Sequence, residues 1–146
     1  MDDSAIAAAT GTAMYERDYA AQRLGISIDE VRPGFARLSM TVADDMVNGH
    51  AVGHGGLTFA LADTAMAYAS NSYNRVALAQ YATINFLAPT RLGERLTAEA
   101  MEQSRAGRAG IYDVRVTNPD GKTVALFRGQ TIRMNDKVDE ASPVIE

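Results

Sequence analysis

Residues 54–72, His-Gly-Gly-Leu-Thr-Phe-Ala-Leu-Ala-Asp-Thr-Ala-Met-Ala-Tyr-Ala-Ser-Asn-Ser, leave this chain few ways to fold. From Gly55 to Ser72 the one formal charge is Asp63, and the surrounding positions are mostly small or apolar. A stretch so rich in alanine and leucine favours a helix. Its apolar positions run around most of the helical circumference, which predicts burial on most sides rather than along one stripe. At ~1.5 Å per residue the helix reaches roughly 27 Å, the width of a small domain. The rest of the chain is expected to wrap around this helix and its single carboxylate.

The 146 residues suffice for one domain, expected over 1–146 with 1–3 and 136–146 as frayed tails. There is no cysteine, hence no disulfide, no thiolate nucleophile and no Cys-ligated metal. The opening Met1-Asp2-Asp3-Ser4 is acidic where a secretory signal is basic. Asp63 and Ser70-Asn71-Ser72 interrupt the best candidate for a membrane span. A cytoplasmic protein with no membrane partner is expected. A formal net charge of −4 and the lack of a basic stripe argue against a nucleic-acid partner.

Taken in order, residues 4–22 read as a helix behind the cap Ser4, weakened at Gly11-Thr12. Ile26–Val31 and Phe35–Val42 read as strands, the second alternating Ala36, Leu38, Met40, Val42 against Arg37, Ser39, Thr41. A polar loop over 44–53 leads into the helix, which ends at Asn71–Asn74. Four strands follow: Leu78–Leu87, Leu96–Glu102, Ile111–Thr117 and Thr123–Met134. Ser104–Arg108 and Asn118-Pro119-Asp120-Gly121 read as turns, and Gly129 as a candidate bulge. Strands joined by short turns form an antiparallel sheet. The expected class is α+β, a curled antiparallel sheet of about six strands around a long central helix, with an N-terminal helix. One sheet cannot enclose such a helix on every side, so a second copy of the chain is expected against the uncovered flank.

Two features carry chemistry. At His54-Gly55-Gly56 a loop becomes a helix N-terminus, where the first N–H groups lack intrahelical partners and the dipole adds positive charge. Glycine admits another molecule close to that backbone, which suits an anion or a developing oxyanion. The same glycines also serve simply as a tight entry to the helix. The second feature is Asp63, with no basic residue within one turn. It reads either as a structural carboxylate satisfied by neighbours or as a charge retained for a task. Gly55 and Asp63 are eight residues apart, roughly 12 Å along one helix. One reacting group reaches both only if each comes from a different subunit. Polarising amide, carboxylate and no strong acid fit thioester hydrolysis, whose thiol leaving group has a pKa of ~8.5. His50 and His54 are the only histidines, and no set of ligands for a metal accompanies them.

Asn48-Gly49-His50, His54-Gly55-Gly56, Leu61-Ala62-Asp63-Thr64-Ala65 and Ala69-Ser70-Asn71-Ser72 together resemble the hotdog-fold acyl-CoA thioesterases, the PaaI group of phenylacetic acid degradation in particular. Thr83-Ile84-Asn85-Phe86-Leu87-Ala88-Pro89, Gly110–Val114 and Val124–Gly129 extend the resemblance over roughly residues 10–134. It implies the hotdog fold, dimers that pair into tetramers, and hydrolysis of a CoA thioester such as a (hydroxy)phenylacetyl-CoA with no metal or cofactor. Carried onto this chain, Asp63 is the nucleophile or general base, and the Gly55 N–H from the other subunit polarises the carbonyl. Asn48 places the thioester or a water, His54 orients the loop, and Thr64 bonds to the acyl group or to water. Gly56 belongs beside the substrate, and Tyr68, Phe86 and Met66 are candidates for the acyl pocket. Arg91, Arg105 and Arg108 are candidates for the CoA phosphates, with solvated surface arginines as the plainer reading. A non-catalytic acyl-CoA-binding module and an acyl-thioester hydratase or dehydratase are the alternatives on the same fold.

Overall fold

The computed structural model describes residues 1–140. Two helices open the chain, α1 (Asp3–Tyr15) and α2 (Tyr19–Arg23). The Asp2 carboxylate accepts the Ala5 N–H at 2.8 Å to start α1, and Asp18 accepts the Ala21 N–H at 3.1 Å to start α2. The interruption therefore lies at 16–18 rather than at Gly11-Thr12. Gly11 stays within α1 and is buried against β1 (Ser27–Arg32), where a Cβ would lie 2.9 Å from Val31 Cγ2. Its missing side chain lets the helix approach the strand.

Next come β2 (Phe35–Thr41), a 3₁₀ turn at Asp44–Met46 and the central helix α3 (Gly55–Ser70). β3 (Ala77–Phe86), β4 (Arg95–Ala106), β5 (Ala109–Thr117) and β6 (Thr123–Arg133) complete one six-stranded sheet. Its order is β1-β2-β4-β5-β6-β3 and every pairing is antiparallel. The curled sheet around a long helix is as the sequence predicts, and α3 touches all six strands. Gly121, at φ +80°, closes the β5–β6 hairpin while Asn118 Oδ1 accepts the N–H groups of Asp120 and Lys122. The β4–β5 turn is tighter than expected, so Arg105 lies on β4 itself.

Alternation along the strands selects the inner face. Leu38, Met40, Leu96, Ala98, Val114 and Phe127 are buried against Leu61, Ala62, Ala65 and Met66 of α3. At Gly129 the two layers come closest, since a Cβ there would collide with Met66 Sδ. Gly129 is not a bulge: it pairs in register with Ala82 and Tyr112, and the register shift on β3 falls between Ala79 and Tyr81. At the far end of α3, buried Asn71 donates from Nδ2 to the carbonyls of Ala67 (2.8 Å) and Ala77 (3.0 Å). Its Oδ1 accepts the Ala77 N–H at 3.1 Å, so one side chain ends the helix and holds the first residue of β3.

Two surfaces are left open. β3 is an edge strand whose Leu78, Tyr81 and Phe86 are each more than half exposed although the strand is largely apolar. An uncovered apolar edge is a template for pairing with another chain. On α3 the flank formed by Gly56, Ala60, Asp63, Thr64 and Ala67 is less covered than the rest of the helix. The tail expected to fray from residue 136 instead makes a 3₁₀ turn at Val138–Glu140, with Val138 buried and its carbonyl accepting from Arg17 Nη2 at 2.6 Å. At the other end Asp3 already belongs to α1, and residues 141–146 of the expected tail lie outside the described residues.

Gly129→Ala is expected to destabilise the fold by about 1–3 kcal/mol through overpacking against Met66. Gly49→Ala, whose Cβ meets open space, is expected to stay within about 0.5 kcal/mol of the parent. Urea denaturation followed by circular dichroism checks both.

Candidate active site

The loop before α3 is tied down by its backbone. The His54 N–H donates to the Met46 carbonyl at 2.7 Å, the Asn48 N–H to Val52 at 2.7 Å, and the Gly53 N–H to Thr90 at 2.9 Å. Val47 and Gly53 form an isolated antiparallel bridge. Asn48 Oδ1 accepts the His50 N–H at 2.8 Å and the Val52 N–H at 3.4 Å, which closes the loop from within. Gly53 presses on β3's exit, where a Cβ would collide with Thr90 Oγ1. These contacts fix the place at which α3 begins.

His54 caps the helix: its Nδ1 accepts the Gly56 N–H at 2.9 Å. In the neutral ring the proton then sits on Nε2. The Gly55 N–H finds no acceptor among the described residues. It is an orphan donor at the positive end of the helix dipole. The Phe86 ring stands beside it, and a Cβ on Gly55 would lie 3.0 Å from Phe86 Cζ. Gly53, Gly55, Phe86, Pro89 and Thr90 line a 340 Å³ recess at this point.

Asp63 lies further along α3, about 12 Å from Gly55 by helical rise. It is half-buried and makes no ion pair or hydrogen bond among the described residues. Desolvation by burial holds its pKa above the ordinary carboxylate value. A carboxylate in that setting is a stronger base than one in water. The neighbouring Thr64 is half-buried too, and its hydroxyl donates to the Ala60 carbonyl at 2.6 Å, leaving the oxygen free to accept.

The sequence-derived candidates thus separate into groups. His54, Gly55 and Phe86 meet at the helix start, and Asp63 and Thr64 share the open flank. The Gly56 N–H is occupied by His54, and the Asn48 carbonyl oxygen by its own loop. Tyr68 sits elsewhere: it is fully buried and its hydroxyl donates to Asp18 Oδ2 at 3.0 Å, joining α3 to α2. Burial, then the Asp18 carboxylate, pushes that phenol well above its usual range. Met66 is core beneath Gly129. Arg91 lies in the turn before β4, with its N–H on Glu94 Oε1 at 2.6 Å, while Arg105 and Arg108 line a different recess near the C-terminal end of α3. Thr90 escapes sequence reasoning. It is buried, its Oγ1 has no hydrogen-bond partner among the described residues, and it lines the Gly55 recess. Pro89-Thr90 reads in sequence only as the beginning of a turn.

Residues 50–125 match the family model described as the thioesterase superfamily. Over 126 residues the chain is 47% identical to the acyl-coenzyme A thioesterase PaaI of Escherichia coli, covering 86% of this chain and 90% of that one. The structure of the E. coli PaaI protein from the phenylacetic acid degradation operon superposes with a TM-score of 0.91 at 45% identity, over 93% of this chain and 99% of the other. A phenylacetic acid degradation protein PaaI of Thermus thermophilus gives a TM-score of 0.77 at 35% identity, over 80% of this chain and 100% of the other. These likenesses show the hotdog fold.

The raised pKa of Asp63 has a consequence for stability. The folded protein holds this proton more tightly than the unfolded chain, so stability falls as pH rises from the ordinary carboxylate value through the folded one. Asp63→Asn removes that loss. The variant is expected to melt above the parent at about pH 7, with the gap closing toward about pH 3, as thermal melts across the range would show.

Proposed function

Since this chain belongs to the thioesterase superfamily, we propose that it hydrolyses acyl-CoA thioesters to a free acid and CoA at a site shared by two protomers. The observation that carries the reading is a pair of unsatisfied groups on one helix: the Gly55 N–H without an acceptor and the Asp63 carboxylate without a counter-ion. They are too far apart to serve one carbonyl from one chain. A two-fold dimer brings the Gly55 of one protomer to the Asp63 of its neighbour and repeats the arrangement twice. The open flank of α3 and the apolar edge strand β3 are the surfaces that such a partner covers.

In that site the thioester oxygen accepts the Gly55 N–H, and the helix dipole stabilises negative charge as it develops there. Asp63 from the other protomer either attacks the carbonyl carbon or takes a proton from the water that does. Collapse of the tetrahedral intermediate breaks the carbon–sulfur bond, and CoA leaves as a thiolate. On the first route the acyl group is left on Asp63 as a mixed anhydride, which water then hydrolyses to the free acid and the regenerated carboxylate. On the second the acid forms directly, and the proton held by Asp63 passes to the departing thiolate or to solvent. The free acceptor positions on Thr64 Oγ1 bind the water or the acyl group. His54 keeps the helix start in place through its bond to Gly56, and Asn48 acts through the shape of its loop. The Phe86 ring beside Gly55 offers an apolar wall suited to an aryl acyl group such as (hydroxy)phenylacetyl. The phenylacetic acid degradation context printed for two of the named relatives supports that choice of acyl group; dimers pairing into a tetramer are what the family resemblance implies. No helix among the described residues is long and apolar enough to cross a membrane.

Thiol release from aryl and aliphatic acyl-CoAs tests the reading. Asp63→Asn is expected to lower kcat by about 10²–10⁴-fold with assembly unchanged by sedimentation. Retention of parental turnover would refute the assignment. Tyr81→Lys, which places a charge on the exposed edge strand, is expected to shift the sedimentation equilibrium toward monomer and to lower turnover in parallel, because a monomer holds only half of each site.

A further inference from the structure

The 340 Å³ recess in front of Gly55 is bordered by two threonines, Thr58 and Thr90, whose hydroxyls have no partner among the described residues. Both residues are more than nine-tenths buried. A threonine inside a helix ordinarily donates its hydroxyl to the carbonyl four residues back. The other threonines in the described helices do so: Thr10 to Ile6 at 2.7 Å, Thr12 to Ala8 at 3.2 Å and Thr64 to Ala60 at 2.6 Å. Thr58 departs from that habit. Its Oγ1 keeps a surface open to the recess, whereas Thr90 Oγ1 is shut away against Gly53, where a Cβ would collide with it. The side chains of Phe86, Leu87, Pro89 and Val124 make the rest of the wall apolar. Helical side chains lean toward the N-terminus, so Thr58 overlies the turn that begins at Gly55, about 4.5 Å along the axis. One open hydroxyl therefore stands in an apolar hollow beside the helix start, turned from its own backbone.

We propose that Thr58 is a specificity-determining residue, whose hydroxyl selects acyl groups that carry a hydrogen-bonding oxygen beyond the thioester carbonyl. This rests on the acyl-CoA reading above, in which the carbonyl oxygen is held at the Gly55 N–H and the acyl group lies against Phe86. In a largely apolar pocket the few polar groups fix which ligand fits and in which orientation. A hydroxyl both donates and accepts, so Thr58 serves an alcohol, a phenol or a ketone oxygen. A plain hydrocarbon acyl group fills the hollow and leaves that hydroxyl unpaired, which costs affinity and lowers kcat/KM. Thr90 Oγ1 does not open on the hollow, so the discriminating group is Thr58.

The test compares matched substrates. Thr58→Val keeps the shape of the side chain and removes the hydroxyl, while Thr58→Ser keeps the hydroxyl. Circular dichroism establishes that each variant is folded, and Thr58→Ala replaces Thr58→Val if the latter is not. Thiol release gives kcat/KM for phenylacetyl-CoA against its 2-, 3- and 4-hydroxy forms, and for butyryl-CoA against 3-hydroxybutyryl-CoA. Calorimetry follows binding of non-hydrolysable CoA ketones with the same acyl groups. The parent is expected to favour at least one hydroxylated member over its plain counterpart by about tenfold. That ratio is expected to fall to near one in Thr58→Val and to survive in Thr58→Ser. A parent without such a preference, or an equal change on both members of every pair, overturns the proposal. A shift of Thr58→Val toward monomer in sedimentation gives the hydroxyl to the partner protomer and overturns it too. If the parent hydrolyses no thioester but its ketone binding shows the preference and Thr58→Val loses it, the selectivity stands and the hydrolysis reading falls.

Discussion

A sheet can curl around a helix but cannot close over it, and the rest of this structure follows from that constraint. The inner strands press small residues and Gly129 against α3 so closely that Met66 leaves no room for another carbon. Burial of α3 supplies the main apolar core. Geometry leaves the flank with Gly56, Ala60, Asp63, Thr64 and Ala67 only half covered. A charge on a deeply buried face would be prohibitively desolvated, and on a fully wet face it would behave as in water. Asp63 lies between those limits, where its basicity rises and its access is retained.

The helix start is governed by a different balance. Backbone and side-chain bonds fix it in place: His54 holds Gly56, Met46 holds His54, and Thr90 holds Gly53. Among the first four residues of α3, Gly55 is the one whose N–H has no acceptor among the described residues. A loop with slack would let that group find a carbonyl of its own or turn to solvent. Here the surrounding hydrogen bonds remove the slack, and the donor is held in place, as the proposed reaction requires. Gly53 and Gly55 are needed for contact rather than for unusual backbone angles, because side chains would strike Thr90 at Gly53 and Phe86 at Gly55.

Much of this was legible in the residues. An apolar stretch with one acid announced the central helix, alternation announced the inner face of β2, and Asn118–Gly121 announced a hairpin. The candidates at His54-Gly55 and Asp63 came from local rules about helix ends and isolated charges, which need no knowledge of distant contacts, whereas Thr64 came with the family resemblance. What escaped depended on neighbours far away in sequence. Gly11 and Gly129 look like weak points until Val31 and Met66 are seen against them. Tyr68 looks like a pocket wall until Asp18 is found at its hydroxyl. β3 reads as a largely apolar strand, and nothing in its residues shows that its place at the sheet edge exposes it. The arginines of the recess at the C-terminal end of α3 come from three segments: Arg105 and Arg108 stand out together at the β4–β5 turn, whereas nothing in sequence joins Arg75 and Arg133 to them.

The place of β3 has a bearing on how the chain matures. It is synthesised third among the strands but pairs only with β6, the last. While the ribosome is still making the middle of the protein, β3 has no ladder to join and α3 has an incomplete cradle. Pairing of such sequence-distant segments is slow, because loop closure must precede any reward. A nascent chain of this design keeps the backbone edge of β3 unpaired on both sides until its final strand emerges.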